Sequence, residues 1–177
     1  INAAIEMRKE LLAYNNERKQ YGQIEIDAGI GIHTGTLMLG TIGEDKRMQG
    51  TVISDSVNLA SRLESLTKEF GVSTLISKEV FNRLNYPDRY KHRFLGSTSI
   101  KGKTESVVVF EIYDADDDDL IQLKDKTKSD MQHALFLFNT NKISEAEALF
   151  MRIQSDFPSD KVTEQYIERC AGIQGRD

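Results

Sequence analysis

The chain has 177 residues, of which 29% are charged and 39% apolar; tryptophan is absent and the formal net charge is −5. That is a globular composition, long enough for one domain with an appendage or for two small domains, and its acidic balance excludes a general nucleic-acid-binding face. The single cysteine, Cys170, excludes an internal disulfide and a cysteine-ligated zinc site and fits a reducing compartment, while no apolar run approaches the roughly 18 residues of a membrane span and no signal peptide is visible.

The chain opens Ile1-Asn2-Ala3-Ala4-Ile5, already in helical rhythm and without an N-cap, so it reads as a fragment whose upstream part is absent. Residues 1–21 are predicted to form an amphipathic helix, with Ile1, Ile5, Leu11 and Leu12 near one face and Gly22 as its C-cap. The segments QIEIDAGIGIHTG and TLMLGTIG are rich in β-branched and apolar residues. They read as two strands joined by a tight turn at Thr34 and Gly35. EDKRMQG is a polar loop. TVIS is a short strand leading into a helix over about 55–70, closed by Gly71. VSTLIS is predicted as a strand and SKEVFNRL as a short helix. YKHRFLGSTSIKG and ESVVVFEIYDA follow as strands joined through Gly102. Interleaved helices and strands up to residue 113 predict an α/β fold of the α+β sandwich type.

Beyond that point the strand signal stops. Asp114 and Asp116 to Asp119 form an acidic run, read as a solvated linker or a helix start. Three helical segments are predicted, at about 120–140, 144–155 and 161–171, with breaks at Asn141 and Pro158. Their small and apolar spacing resembles one unit of a tetratricopeptide-type repeat. One such unit cannot bury its face alone, so it is expected to pack on the preceding domain, on a partner or on its own copy.

Several motifs have a plain structural reading. Gly29, Gly31 and Gly35 have the wrong spacing for a dinucleotide loop and precede a strand rather than a helix, which leaves close strand packing and a hairpin. His33 ends an apolar strand and reads as a structural histidine; His92 and His133 show no metal-ligand spacing to it. In SDSVNLASRLES, Ser54 or Asp55 can cap the helix, and Val57, Leu59, Ala60, Leu63 and Leu66 supply its apolar side. Asn58, Arg62 and Ser65 share one stripe. As pattern alone the stripe reads as solvent-facing, although a fixed guanidinium beside an oriented amide also suits an anionic ligand. Lys101 reads as a surface lysine at a hairpin.

Three blocks in order carry a more specific signal: AGIGIHTGTLMLGTIG, RMQGTVISDSVNLASRLESL and FLGSTSIKGKTESVVVFEIYD. Together they resemble the second half of a class III nucleotidyl cyclase catalytic domain, over about residues 25–113. The resemblance implies a ferredoxin-like cyclase homology fold lacking its N-terminal part. With the composition change after residue 113, the chain divides into cyclase residues 1–113, an acidic linker at 114–119 and a helical extension at 120–177. The resemblance also implies conversion of ATP to 3′,5′-cyclic AMP and pyrophosphate for intracellular signalling. Asn58 would then orient the ribose, and Arg62 would stabilise charge on the transferring phosphoryl group. Thr51 matches the base-reading position and favours ATP over GTP, and Lys101 matches the position that holds the terminal phosphates. The two divalent metals of the family, Mg²⁺ or Mn²⁺, are held by aspartates absent from this chain, so the fragment alone is expected to be inactive. Its expected partner is a second cyclase domain in a head-to-tail homodimer, on the cytoplasmic side and with no membrane contact from this segment. Two alternatives stand beside this reading: a non-catalytic nucleotide-binding or dimerisation module, and a helical-repeat adaptor acting through 120–177.

Overall fold

A computed structural model describes residues 1–42, 49–99 and 106–175; at 39–42, 49–53 and 99 the description is of backbone alone. Helix α1 spans Asn2–Gln20 and is followed by a short strand β1, Ile30–Ile32. Between them, residues 23–29 run beside α1 without a partner strand. The Asn15 side chain takes the place of one: its Nδ2 donates to the Ile26 carbonyl at 2.7 Å and its Oδ1 accepts from the Ile26 N–H at 2.9 Å. Arg18 Nε donates to the Ile24 carbonyl, and Arg8 donates to the Ala28 carbonyl and to Asp27. The expected strand is therefore shorter than its apolar pattern, because side chains of α1 satisfy the backbone before the sheet begins.

Strands β2 (Met38–Ile42) and β3 (Gln49–Ile53) pair with each other in a separate two-stranded antiparallel sheet. The expected hairpin between β1 and β2 is not formed. Instead β1 pairs in parallel with β4, Thr74–Ser77. Between β3 and β4 lies α2, Asp55–Phe70. A short helix α3 (Lys78–Phe81) leads to β5 (His92–Ser99) and β6 (Ser106–Ile112), which are antiparallel to each other. The main sheet has the order β1-β4-β6-β5. Strand β4 is internal to the sheet and buried along its whole length, Thr74 and Ser77 included.

Alternation along the strands divides the core. Leu75 and Val109 point to one face, where they meet Leu63 and Phe70 of α2. Ile76 and Ile112 point to the other, where they meet Ile5 of α1 and Val80 of α3. This is a mixed α/β fold with helices on both faces of the sheet.

Three further helices follow: α4 (Asp118–Asn139), α5 (Ile143–Asp156) and α6 (Lys161–Gln174). Asn141 turns the chain between α4 and α5 in the left-handed conformation, φ 61°, which asparagine tolerates better than most residues. The acidic run divides. Asp117 caps α4 by accepting from the Leu120 N–H at 2.8 Å, and Asp118 and Asp119 fill its first turn. Asp114 instead accepts from the Lys91 N–H, and Asp116 is buried against Lys124.

The three helices share a core with the sheet. Met131, Leu135, Phe150, Ile153, Val162 and Tyr166 belong to the same buried cluster as Leu63, Phe70 and Leu75. A buried ionic seam joins the same parts. Arg93 of β5 is bound by Glu111 of β6 and, through both terminal nitrogens, by Asp160 at the start of α6. Lys124 of α4 is bound by Glu111 and Asp116. Asp160 also accepts from the Thr163 hydroxyl at 2.6 Å. Burial alone would push the Asp160 carboxyl up and the Arg93 guanidinium down; their mutual charge and hydrogen bonds reverse both shifts. The seam holds two cations and three carboxylates, and Asp116 is the carboxyl that burial pushes up against the pull of Lys124. Among the described residues no helix is long and apolar enough to cross a membrane.

Candidate active site

Helix α2 carries the polar stripe, and its placement follows from its ends. The Ser54 hydroxyl caps the first turn by accepting from the Ser56 N–H at 3.0 Å. The same hydroxyl donates to the Thr36 carbonyl at 2.7 Å, and the Ser56 hydroxyl donates to it at 3.1 Å. The start of α2 is thereby stitched to the turn that leaves β1. At its other end the helix stops at Gly71 in the left-handed conformation.

Between these ends, α2 lies directly on β1. A Cβ at Gly31 would collide with the backbone of α2 at Ala60, Leu63 and Glu64. The glycines of this strand serve close packing, as their spacing predicts, although the element pressed against them is a helix. His33 lies at the same end of β1. Its Nδ1 is 2.8 Å from the Ser77 hydroxyl, and Ser77 in turn caps α3. His33 is a structural link here.

Asn58 and Arg62 stand one turn apart on α2, Asn58 exposed and Arg62 half-buried. Among the described residues neither side chain has a hydrogen-bond or ion-pair partner. A guanidinium held on a capped helix with its donors unspent can meet an incoming anion without first breaking a bond. Ser65, the third residue of the stripe, is turned back: its hydroxyl donates to the Ser61 carbonyl at 3.1 Å. The stripe is thus unpartnered among the described residues at two positions and self-satisfied at the third.

Thr51 lies in β3, where its backbone is opposite Gly40 and its side chain is outside the description. Lys101 lies outside the described residues. The structure therefore brings Asn58 and Arg62 together and does not test their distance to Thr51 or Lys101. Among the described residues no group of three or more His, Cys, Asp or Glu side chains could hold a metal ion. The divalent ions implied by the resemblance find no ligand set there. What sequence reasoning missed is the neighbourhood of α2's far end, where Gln165 of α6 donates to the Glu69 carbonyl at 2.6 Å. No local pattern links positions 96 residues apart.

The domain is a mixed α/β sheet carrying a capped helix whose Asn58 and Arg62 are unpartnered among the described residues. The sequence matches the family described as Adenylate and Guanylate cyclase catalytic domain over residues 1–112, and the chain belongs to that family. It is 40% identical over 117 residues to an adenylate cyclase of Anabaena cylindrica, covering 63% of this chain and 23% of that protein. It is 33% identical over 171 residues to the terminal-differentiation-specific adenylate cyclase of Dictyostelium discoideum. That match covers 96% of this chain, so it runs on into α4–α6, but only 8% of the relative. The crystal structure of the adenylyl cyclase CyaB from P. aeruginosa superposes with a TM-score of 0.52 at 32% identity, over 62% of this chain and 55% of that one. The chain thus spans less than a quarter of the length of these two curated relatives.

Proposed function

We propose that this chain is part of an adenylate cyclase that converts ATP to 3′,5′-cyclic AMP and pyrophosphate. The observation that carries the reading is the pair Asn58 and Arg62, unpartnered among the described residues on a helix pinned to β1, within the residues that match the cyclase family. In this reaction the ribose 3′-oxygen attacks the α-phosphorus in line and the pyrophosphate oxygen leaves. Negative charge grows on the α-phosphoryl oxygens and on the leaving group. Arg62 is assigned to that charge. Asn58 is assigned to the ribose, where its amide restricts the angle from which the 3′-oxygen approaches. Thr51 is assigned to the adenine edge, since its hydroxyl can accept from an exocyclic amine, and Lys101 to the terminal phosphates.

Divalent Mg²⁺ or Mn²⁺, when bound, would neutralise triphosphate charge. We assign its ligands to aspartates outside this chain. A head-to-tail pair of cyclase domains on the cytoplasmic side would bring those aspartates opposite Arg62. Residues 1–113 form the cyclase portion of this proposal and 120–177 the extension. The packing of α4 against α5 and of α5 against α6 is what supports its likeness to a tetratricopeptide unit.

The test is cyclic nucleotide formation by the full-length parent protein, from ATP and from GTP, with Mg²⁺ or Mn²⁺. Asn58→Ala and Arg62→Ala should each lower kcat by about 10²–10³-fold, the usual loss for one transition-state donor. A folded parent that binds metal and ATP but makes no cyclic nucleotide would instead leave a non-catalytic nucleotide-binding module.

A further inference from the structure

We propose that helix α6 is a strut that fixes the spacing between α2 and β5, with Gln165 and Tyr166 as positioning residues for the reaction assigned above. The inference rests on that assignment, because α2 carries Asn58 and Arg62 and the chain reaches Lys101 two residues after β5 ends.

The need for a strut follows from the sheet order. Helix α2 packs on β1 and β4 at one side of the sheet. Strand β5 is the opposite edge, separated from β4 by β6. Helix α2, which carries Asn58 and Arg62, and β5, after which the sequence runs on to Lys101, therefore lie at opposite sides of the sheet. Helix α6 reaches both. At α2, Gln165 Nε2 donates to the Glu69 carbonyl, one of the last-turn carbonyls that lack an intrahelical partner. The stem of Lys161 also lies against Gly71, which ends α2. At β5, Asp160 grips Arg93, and the Tyr166 hydroxyl donates to the Leu95 carbonyl at 2.9 Å.

The Tyr166 bond falls at an irregular point of the strand. Pairing between β5 and β6 breaks register between Phe94 and Ser97, and Gly96 there has φ 89°. A Cβ at Gly96 would collide with the Tyr166 hydroxyl. The bulge and the hydroxyl are thus fitted to each other. Gln165 and Tyr166 are adjacent in sequence, so one turn of α6 is bonded to both elements at once. Apolar packing would keep α6 close; these two directional bonds also fix how far each element is displaced along it.

Tyr166→Phe removes only the hydroxyl. The ring keeps its stack on Phe150 (5.1 Å) and its edge contact with Phe138 (5.3 Å). Gln165→Ala removes an exposed bond and leaves the core intact. In the full-length parent, each variant should lower kcat by about 3–10-fold with KM for ATP nearly unchanged, a smaller loss than the ~100-fold that a 1 Å misplacement can cause. Hydrogen exchange should quicken at 96–99 in Tyr166→Phe and at 69–72 in Gln165→Ala. Parental kcat in both variants would overturn the strut, whatever their melting temperatures. A parent that makes no cyclic nucleotide would sink the cyclase reading instead. The strut would then be judged on exchange alone, and unchanged exchange in both variants would overturn it.

Discussion

Asp160 shows how one side chain can hold two parts of a chain together. It is almost fully buried, caps no N–H of its own helix, and spends its carboxylate on both terminal nitrogens of Arg93 and on the Thr163 hydroxyl. Removing one partner from such a pair leaves the other charge stranded away from water. Asp160→Asn should cost about 3 kcal/mol, the low end for a broken buried pair because Glu111 still holds Arg93. The pH dependence has a definite sign. A carboxyl whose folded pKa lies below its unfolded value adds stability above the unfolded value and loses it as pH falls through the folded one. Asp160 is such a group, so its contribution is lost below about pH 4. Asp116, shifted up, takes its proton earlier in the folded state and blunts that loss. Urea unfolding followed between about pH 5 and pH 2 should show a shallower acid limb in Asp160→Asn than in the parent.

At the scale of elements, the crossing of α2 over β1 is set by a missing side chain. Gly31→Ala would drive a methyl group into the backbone of α2, which cannot turn aside as a side chain can. The expected cost is about 1–3 kcal/mol, together with a shifted α2 and, under the proposed function, a lower kcat in the full-length parent, checked by denaturant unfolding and by cyclic nucleotide formation on the same preparation of that parent. This crossing also marks the limit of what could be read in advance. The helix over 55–70 was legible to its ends, because Ser54 and Gly71 are local signals that need nothing from the rest of the chain. The three C-terminal helices were legible for the same reason. The hairpin expected at Thr34 and Gly35 was not formed, since local pattern predicts a turn but not which strand lies beyond it. Strand β1 found β4, some forty residues away. Of the residues proposed for the candidate site, Asn58 and Arg62 were legible as a stripe, while Gln165 and Tyr166 were not. Their partners are backbone carbonyls, which leave no trace in a sequence.

Across the whole molecule, one buried cluster joins α2, β4, β5 and β6 to α4, α5 and α6. Deleting residues 118–177 would bare Leu75, Leu95 and Val109 and leave Arg93 and Glu111 without Asp160 and Lys124. We expect the shortened protein to aggregate or to unfold at markedly lower denaturant, seen by gel filtration and by circular dichroism. A tail that unfolded in its own separate transition, leaving a stable sheet behind, would contradict this.

The notch at Gly96 has a consequence for how such proteins are assembled over time. The strand carries a left-handed glycine shaped around a hydroxyl that arrives some seventy residues later. A recombination point between β6 and α4 would part lock from key. Grafted onto another catalytic domain, α4–α6 would need Arg93, Glu111 and Gly96 to travel with them. A hybrid joined at residue 113 should regain solubility only when those three positions are restored in the recipient.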